Sequence, residues 1–177
     1  PGEIAYASAG GGTLQRIGME MFLAMAGIRM LDVPFNGSGP AITAVIGGQV
    51  PVLSSGYGSA MPFLGGGADK LRALAVTTAD RTPLAPDLPT VAEAAGLPGY
   101  ESVSWMGLVG PAGLPAAIVM RLNTEMARMS GSADVREWLA KQGLSTYHLS
   151  PAAFAEKIRS DVVGYGKVIR DIGAKPD

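Results

Sequence analysis

The chain has 177 residues, room for one domain or two small lobes, and its 47% hydrophobic and 16% charged residues suit a well-buried α/β core. A net charge of −1 offers no basic surface to nucleic acid or an anionic membrane, and the absence of cysteine removes disulfides, thiol nucleophiles and thiolate metal sites. One histidine, His148, argues against a histidine metal site or a catalytic triad, and no apolar run reaches transmembrane length.

The first segment, Ile4 to Arg16, reads as a short strand, a glycine turn and a helix start. Ile4, Ala5, Tyr6 and Ala7 suit a buried strand. Gly10, Gly11 and Gly12 let the backbone turn sharply and approach a ligand with no Cβ in the way. Thr13 is placed to cap a helix carrying Leu14, Ile17, Met21 and Met25 at helical spacing, with Gly27 as its stop. No acidic residue occupies the first turn. A bare helix N-terminus presents free N–H groups and partial positive charge, a ready anion site. Ser8, Ala9, Gly10, Gly11, Gly12 and Thr13 are therefore candidate ligand contacts, and Arg16 a source of distant electrostatic help.

The pattern repeats. Residues 30–35 read as a second strand, followed by Asn36-Gly37-Ser38-Gly39-Pro40. Pro40 is expected at the first helical position, with Ser38 or Gly39 as cap. Ile42, Val45 and Ile46 give this helix its apolar face, and Gly47-Gly48 ends it. Asn36, Gly37 and Ser38 join the candidates. Residues 50–53 read as a third strand, an edge or strand start because of Pro51. Ser54, Ser55 and Tyr57 lie in the polar loop after it, before a short helix over 60–64 closed by Gly65-Gly66-Gly67. In open α/β sheets ligands bind beyond the carboxyl ends of the strands, where these three loops would lie.

Residues 71–77 have the composition of a strand. Pro83, Pro86 and Pro89 keep the next stretch irregular. Thr90 and Glu93 have the spacing of a capping box for a short helix ended by Gly96. Residues 102–109, with Trp105, read as another strand. Three helices follow, over about 115–129, 134–142 and 151–172, the last capped by Ser150. Composition shifts near residue 100 from glycine-rich and strand-heavy to mostly helical, which sets a lobe boundary there. Trp105, Trp138 and the methionine stripe of the first of these helices are expected in packing roles, His148 on the surface or at a hinge, and Arg81 tying down the proline-rich loop.

Several segments resemble the substrate-binding receptors of tripartite tricarboxylate transporters, the Bug-type periplasmic proteins. They are residues 4–13, Val33-Pro34-Phe35-Asn36-Gly37, Gly47-Gly48-Gln49-Val50, residues 71–77, the proline-rich run 81–96 with Gly99-Tyr100-Glu101 and Trp105-Met106-Gly107-Leu108, Pro111-Ala112-Gly113-Leu114-Pro115, and Arg121-Leu122-Asn123. The resemblance covers nearly the whole chain and lies in the order and spacing of the pieces. It implies an α/β fold of the type 2 periplasmic-binding-protein, or clamshell, architecture. Residues 1–100 would form the second ligand-binding lobe. Residues 101–177 would be the mostly helical C-terminal part of the first lobe, with a hinge strand at 102–109. The opening strands of that first lobe have no counterpart here. The chain begins at Pro1 without a Met or a signal peptide, as a processed or truncated piece would.

What the resemblance implies in function is an extracytoplasmic receptor, periplasmic in location, that captures a small organic carboxylate, performs no chemistry, needs no cofactor and hands its ligand to membrane transporter subunits. The loop from Ser8 to Thr13 would take one carboxylate, and Asn36-Gly37-Ser38 would form the neighbouring wall. Family members often carry Tyr-Lys in place of Phe35-Asn36 and Asp near Pro51 and Ser55. Loss of those carboxylates argues against a cationic or amino-bearing ligand. Ile118, Leu122, Met126, Phe154, Ile158 and Val162 would cover a sheet begun by the absent segment. By itself this piece would therefore self-associate through that face or depend on an N-terminal segment outside the numbered chain.

Three other classes compete. The effector-binding lobe of a transcription regulator can share such a fold, though this chain has no helix-turn-helix segment or basic patch. A dinucleotide-binding enzyme would use Gly10 and Gly12, but Gln15 stands where a third glycine belongs and Asp32 lies at the start of its strand. A serine hydrolase has still less support, since Ser8 is not in a G-x-S-x-G setting.

Overall fold

The computed structural model describes residues 4–65 and 70–171, and they divide into two compact units. The first runs to Ser104 and takes in the end of the last helix from Lys167; the second is Trp105–Gly166.

The first unit is built on a parallel three-stranded sheet in the order β2-β1-β3. Strand β1 (Ala5–Ser8) is central, flanked by β2 (Leu31–Pro34) and β3 (Val52–Leu53). Tyr6 lies opposite both Asp32 and Val52, and Ala7 opposite Val33 and Leu53. Helix α1 (Leu14–Ala26) connects β1 to β2, and α2 (Ser38–Ile46) connects β2 to β3. Strand alternation gives the sheet two different faces. Ala5, Ala7, Val33 and Leu53 pack with Ala41, Val45 and Val50 in an apolar core. The other face carries Tyr6, Ser8 and Asp32 and meets α1.

Local sequence chemistry explains the ends of these elements. Thr13 caps α1, its Oγ1 accepting from the Arg16 N–H at 3.5 Å, and Gly27 closes it in the left-handed conformation with φ 65°. The buried residues of α1 are Ile17, Gly18 and Leu23, while Met25 of the expected stripe is exposed. Gly18 is buried because Tyr100 and Ser102 press on it, and the Tyr100 hydroxyl donates to the Gly18 carbonyl at 3.0 Å. Helix α2 starts at Ser38, earlier than expected, because Gly37 at φ 101° makes the turn, so Pro40 falls inside its first turn. The short helix after β3 is α3 (Tyr57–Ala60), continued by a 3₁₀ turn over Met61–Phe63. Of the three closing glycines only Gly65 is among the described residues.

Residues 71–77 form no strand, a correction to the expectation. Their backbone is satisfied piecemeal: Leu71 N–H bonds to the Phe63 carbonyl, Val76 pairs with Pro89 and Val91, and the Thr77 carbonyl accepts from Ser102 N–H. The adjacent run 83–89 holds three prolines, which cannot donate to a ladder. The capping box of α4 (Val91–Ala95) forms as expected: Glu93 N–H donates to Thr90 Oγ1 at 3.1 Å and Thr90 N–H to Glu93 Oε2 at 3.0 Å. Arg81 binds the same carboxylate at 3.0 Å, tying the proline-rich loop to it. With the Thr90 N–H bond as the leading cause, the Glu93 carboxyl is held below its usual range.

The second unit contains α5 (Ala116–Gly131), α6 (Ala133–Lys141) and most of α7 (Pro151–Asp171). Residues 102–109, expected as a hinge strand, are not a strand. They pair with no described strand, and Met106, Leu108 and Val109 lie exposed. Of the described residues in this unit only Gly143 is buried. Ile118, Leu122 and Val162 are exposed, as is Trp138, which therefore does not take the packing role expected of it. His148 is exposed. Trp105 does pack, edge-on to Phe154 with ring centroids 5.0 Å apart, and its Nε1 donates to Asp161 at 2.7 Å.

Burial by itself would raise the Asp161 pKa. Hydrogen bonds from Lys157, at 2.8 Å, and from Trp105 outweigh it and hold the carboxyl below its ordinary value. A depressed folded-state pKa adds stability that is present above the unfolded value, about 4 for Asp, and is lost as pH falls through the folded one. In a Trp138→Phe background, Trp105 fluorescence should therefore report loosening of this unit below about pH 4. Asp161→Asn should flatten that transition; superimposable profiles would contradict the assignment.

Candidate functional site

Because the three strands are parallel and β1 is central, the loops after β1, β2 and β3 leave the same carboxyl edge side by side. This brings the candidates Ser8–Thr13, Asn36–Ser38 and Ser54, Ser55 and Tyr57 to one edge. The first two loops are tied directly, Phe35 N–H donating to the Ser8 carbonyl at 2.9 Å. None of α1, α2 and α3 carries an acidic residue in its first turn.

The loop after β1 is held from within. Gly10 has φ 119°, a conformation open to glycine, and its carbonyl accepts from both Thr13 Oγ1 at 2.9 Å and Thr13 N–H at 3.3 Å. Gly12 is exposed, has no positive φ, and a Cβ there would meet nothing within 4 Å. The fold has no steric need for glycine at that position. Ser8 is 1% exposed, and its Oγ has no partner among the described residues. An unpaired buried hydroxyl costs free energy, so it marks a place where a further polar group is wanted.

Under this loop lies a cluster of charged and polar side chains that the sequence reading did not assemble. Arg16 reaches back to the Gly11 carbonyl, with Nη1 3.3 Å away. Its Nε lies 2.8 Å from Asp32 Oδ2 of β2, a close charge contact out of line for a hydrogen bond. Tyr6, fully buried on β1, donates its hydroxyl to Glu20 of α1 at 2.6 Å. Burial first, then the Glu20 bond and the nearby Asp32 charge, push the Tyr6 phenol far above its usual range, so it stays a neutral donor. The signal was present in the chain. Tyr6 and Ser8 share a strand face by alternation, and Arg16 and Glu20 share a helix face at i,i+4.

Other candidates have internal roles. The Tyr57 hydroxyl donates to the Leu84 carbonyl at 2.9 Å, anchoring the proline-rich loop to α3. Ser55 Oγ donates to its neighbour's carbonyl at 3.4 Å. Among the described residues no cluster of His, Cys, Asp or Glu could hold a metal ion, and no helix is long and apolar enough to cross a membrane. A shallow cleft between α5 and α6, lined by the ion-paired Glu125 and Arg128, is far in sequence from these loops and has none of their features.

Open α/β sheets bind ligands beyond the carboxyl ends of their strands, and these small, acid-free loops lie there. The chain belongs to the tripartite tricarboxylate transporter family receptors, whose family model matches residues 1–174. It is 37% identical to the UPF0065 protein in the tcbD-tcbE intergenic region of Pseudomonas sp. (strain P51), over 96% of this chain and 50% of that protein. It is 30% identical to protein BugT of Bordetella pertussis, over 99% of this chain and 53% of that protein. Among solved structures it superposes on R. palustris Rpa4515 with adipate (TM-score 0.81, 33% identity, all of this chain and 58% of that one). It also superposes on MatC (Rpa3494) from Rhodopseudomonas palustris with bound malate (TM-score 0.71, 29% identity, 95% of this chain and 57% of that one). The chain thus spans about half the length of these relatives.

Proposed function

We propose that this chain carries the carboxylate-gripping loops of an extracytoplasmic, periplasmic solute receptor. The protein captures a small organic carboxylate and delivers it unchanged to the membrane subunits of a tripartite tricarboxylate-type transporter. The observation that carries the reading is the carboxyl edge of the sheet: three acid-free loops side by side, with the buried, unpartnered Ser8 hydroxyl beneath the one after β1. Family membership supports it, as do two structural relatives described with dicarboxylates, adipate and malate. In this reading one carboxylate is held by N–H groups of residues 10–12 and by the Ser8 hydroxyl, with Asn36, Gly37 and Ser38 alongside, while the Thr13 hydroxyl and N–H hold the Gly10 carbonyl and so shape the loop. Residues 1–100 correspond to one lobe of the receptor and the helices after residue 101 to part of the other. Neutral donors at a helix start suit an anion whose second charge is met elsewhere.

A receptor is stabilised by its ligand and leaves it intact. At a hundredfold excess over Kd the stabilisation is about 2.7 kcal/mol, a melting shift of a few degrees for a protein of this class. A thermal-shift screen of the full-length protein against dicarboxylates, tricarboxylates, aromatic acids and nicotinamide cofactors should give such a shift with a carboxylate and no turnover. A shift with NAD alone, or conversion of any hit, would overturn the reading.

A further inference from the structure

We propose that Arg16 is the positioning residue of the loop after β1, held by Asp32 so that its guanidinium fixes the Gly11–Gly12 peptide with the Gly12 N–H turned outward to the ligand. The proposal rests on the receptor reading above for its ligand, but its geometry is independent of it. Arg16 sits in the first turn of α1; Asp32 Oδ2 lies 2.8 Å from its Nε as a charge contact, its Nη1 donates to the Gly11 carbonyl at 3.3 Å, and its guanidinium also acts on the Tyr6 hydroxyl. In a trans peptide the carbonyl and the following N–H point in opposite directions. A guanidinium drawing the Gly11 carbonyl inward therefore drives the Gly12 N–H the other way, and Gly12 is exposed while Gly11 is buried. A charged donor holds a carbonyl more firmly than a neutral one. The Arg16 charge is also answered by Asp32, so it stays behind the loop and does not serve as the counter-ion of the bound anion.

The alternative role, direct attraction between Arg16 and the anion, has the opposite sign at Asp32. If Arg16 acts by charge, Asp32→Asn removes a competing carboxylate and adipate binds more tightly. If Arg16 positions the peptide, Asp32→Asn frees the guanidinium from its anchor and adipate binds about tenfold more weakly, the equivalent of one hydrogen bond to a charged group. The test is calorimetry with adipate on the full-length protein and its Asp32→Asn and Arg16→Met variants. Amide NMR of the same ligand-free proteins follows the Gly12 resonance. Both variants should shift Gly12 while the amides of β3 and α4 stay in place. The double variant Arg16→Met/Asp32→Leu replaces the ion pair with apolar groups, an exchange that folds tolerate, and should give the same Gly12 shift and the same loss. Tighter adipate binding by Asp32→Asn, or an unmoved Gly12 amide in all three variants, would overturn the positioning role. A wild-type protein that ignores adipate and every other carboxylate would count against the receptor reading instead, with the Gly12 amide still deciding the role of Arg16.

Discussion

Gly18→Val is expected to lower the stability of the full-length protein by about 2–3 kcal/mol, the upper range for overpacking a closed interface. A Cβ at this position would run into Ser102 Oγ and lie 2.9 Å from Ser102 Cβ. Ser102 cannot step aside: it is buried, and its N–H is fixed to the Thr77 carbonyl at 2.9 Å. On the near side, the Tyr100 hydroxyl is already bonded to the Gly18 carbonyl. Helix propensity acts against this cost, since glycine inside a helix is worth about 1 kcal/mol less than alanine. The two effects separate in a pair of variants. Gly18→Ala alone should be destabilising, and Gly18→Ala with Ser102→Gly should recover most of the loss as the collision disappears. Denaturant midpoints read this directly. A Gly18→Val protein as stable as the parent would show that α1 does not press on residues 100–102.

Gly12→Val is expected to do the reverse, removing carboxylate binding while leaving the fold alone. The position has no positive φ and open space where a Cβ would go. Valine therefore fits the free protein, at most stiffening its backbone. In the receptor reading the same space is where the ligand's carboxylate meets the Gly12 N–H, and two added methyls would exclude it. Calorimetry with adipate should lose its signal, with circular dichroism and melting temperature near those of the parent. Parent-like affinity in the variant would refute the placement of the ligand at this loop. Its contrast with Gly18→Val is useful. Both are glycines of one strand–turn–helix segment, but packing requires Gly18, whereas the fold leaves space at Gly12 and only the proposed ligand would need it.

The parts of this fold that could be read from the chain are those fixed by local chemistry. Thr13 and Thr90 cap where their side chains reach the third N–H of a helix, and Gly27 stops α1 because it alone accepts the left-handed turn without strain. The three short strands follow from apolar runs ended by glycine-rich loops, and their parallel order brings the candidate residues to one edge. Two expected strands fail for a reason that no window of sequence contains. Residues 71–77 and 102–109 are strand-like in composition, but a strand needs a neighbour to complete its ladder. The neighbours of 71–77 are proline-rich or single bonds to residues 63 and 102, and 102–109 meets no described strand. The polar layer beneath the site was missed for a related reason. Arg16, taken with its own helix start, suggests distant electrostatic help, whereas Asp32, 16 positions on and in another element, anchors it. Tyr57, placed among the ligand contacts by its loop, spends its hydroxyl on Leu84.

The most direct test of the central claim is a titration of the isotopically labelled full-length protein with adipate and with malate, followed through its backbone amides. A receptor that grips a carboxylate at the carboxyl edge of this sheet should show saturable shifts of the Gly10, Gly11, Gly12 and Thr13 amides, with smaller ones at Gly37 and Ser38, and little change in the helices after residue 115. Saturable binding that leaves residues 10–13 unmoved and shifts amides elsewhere would contradict it.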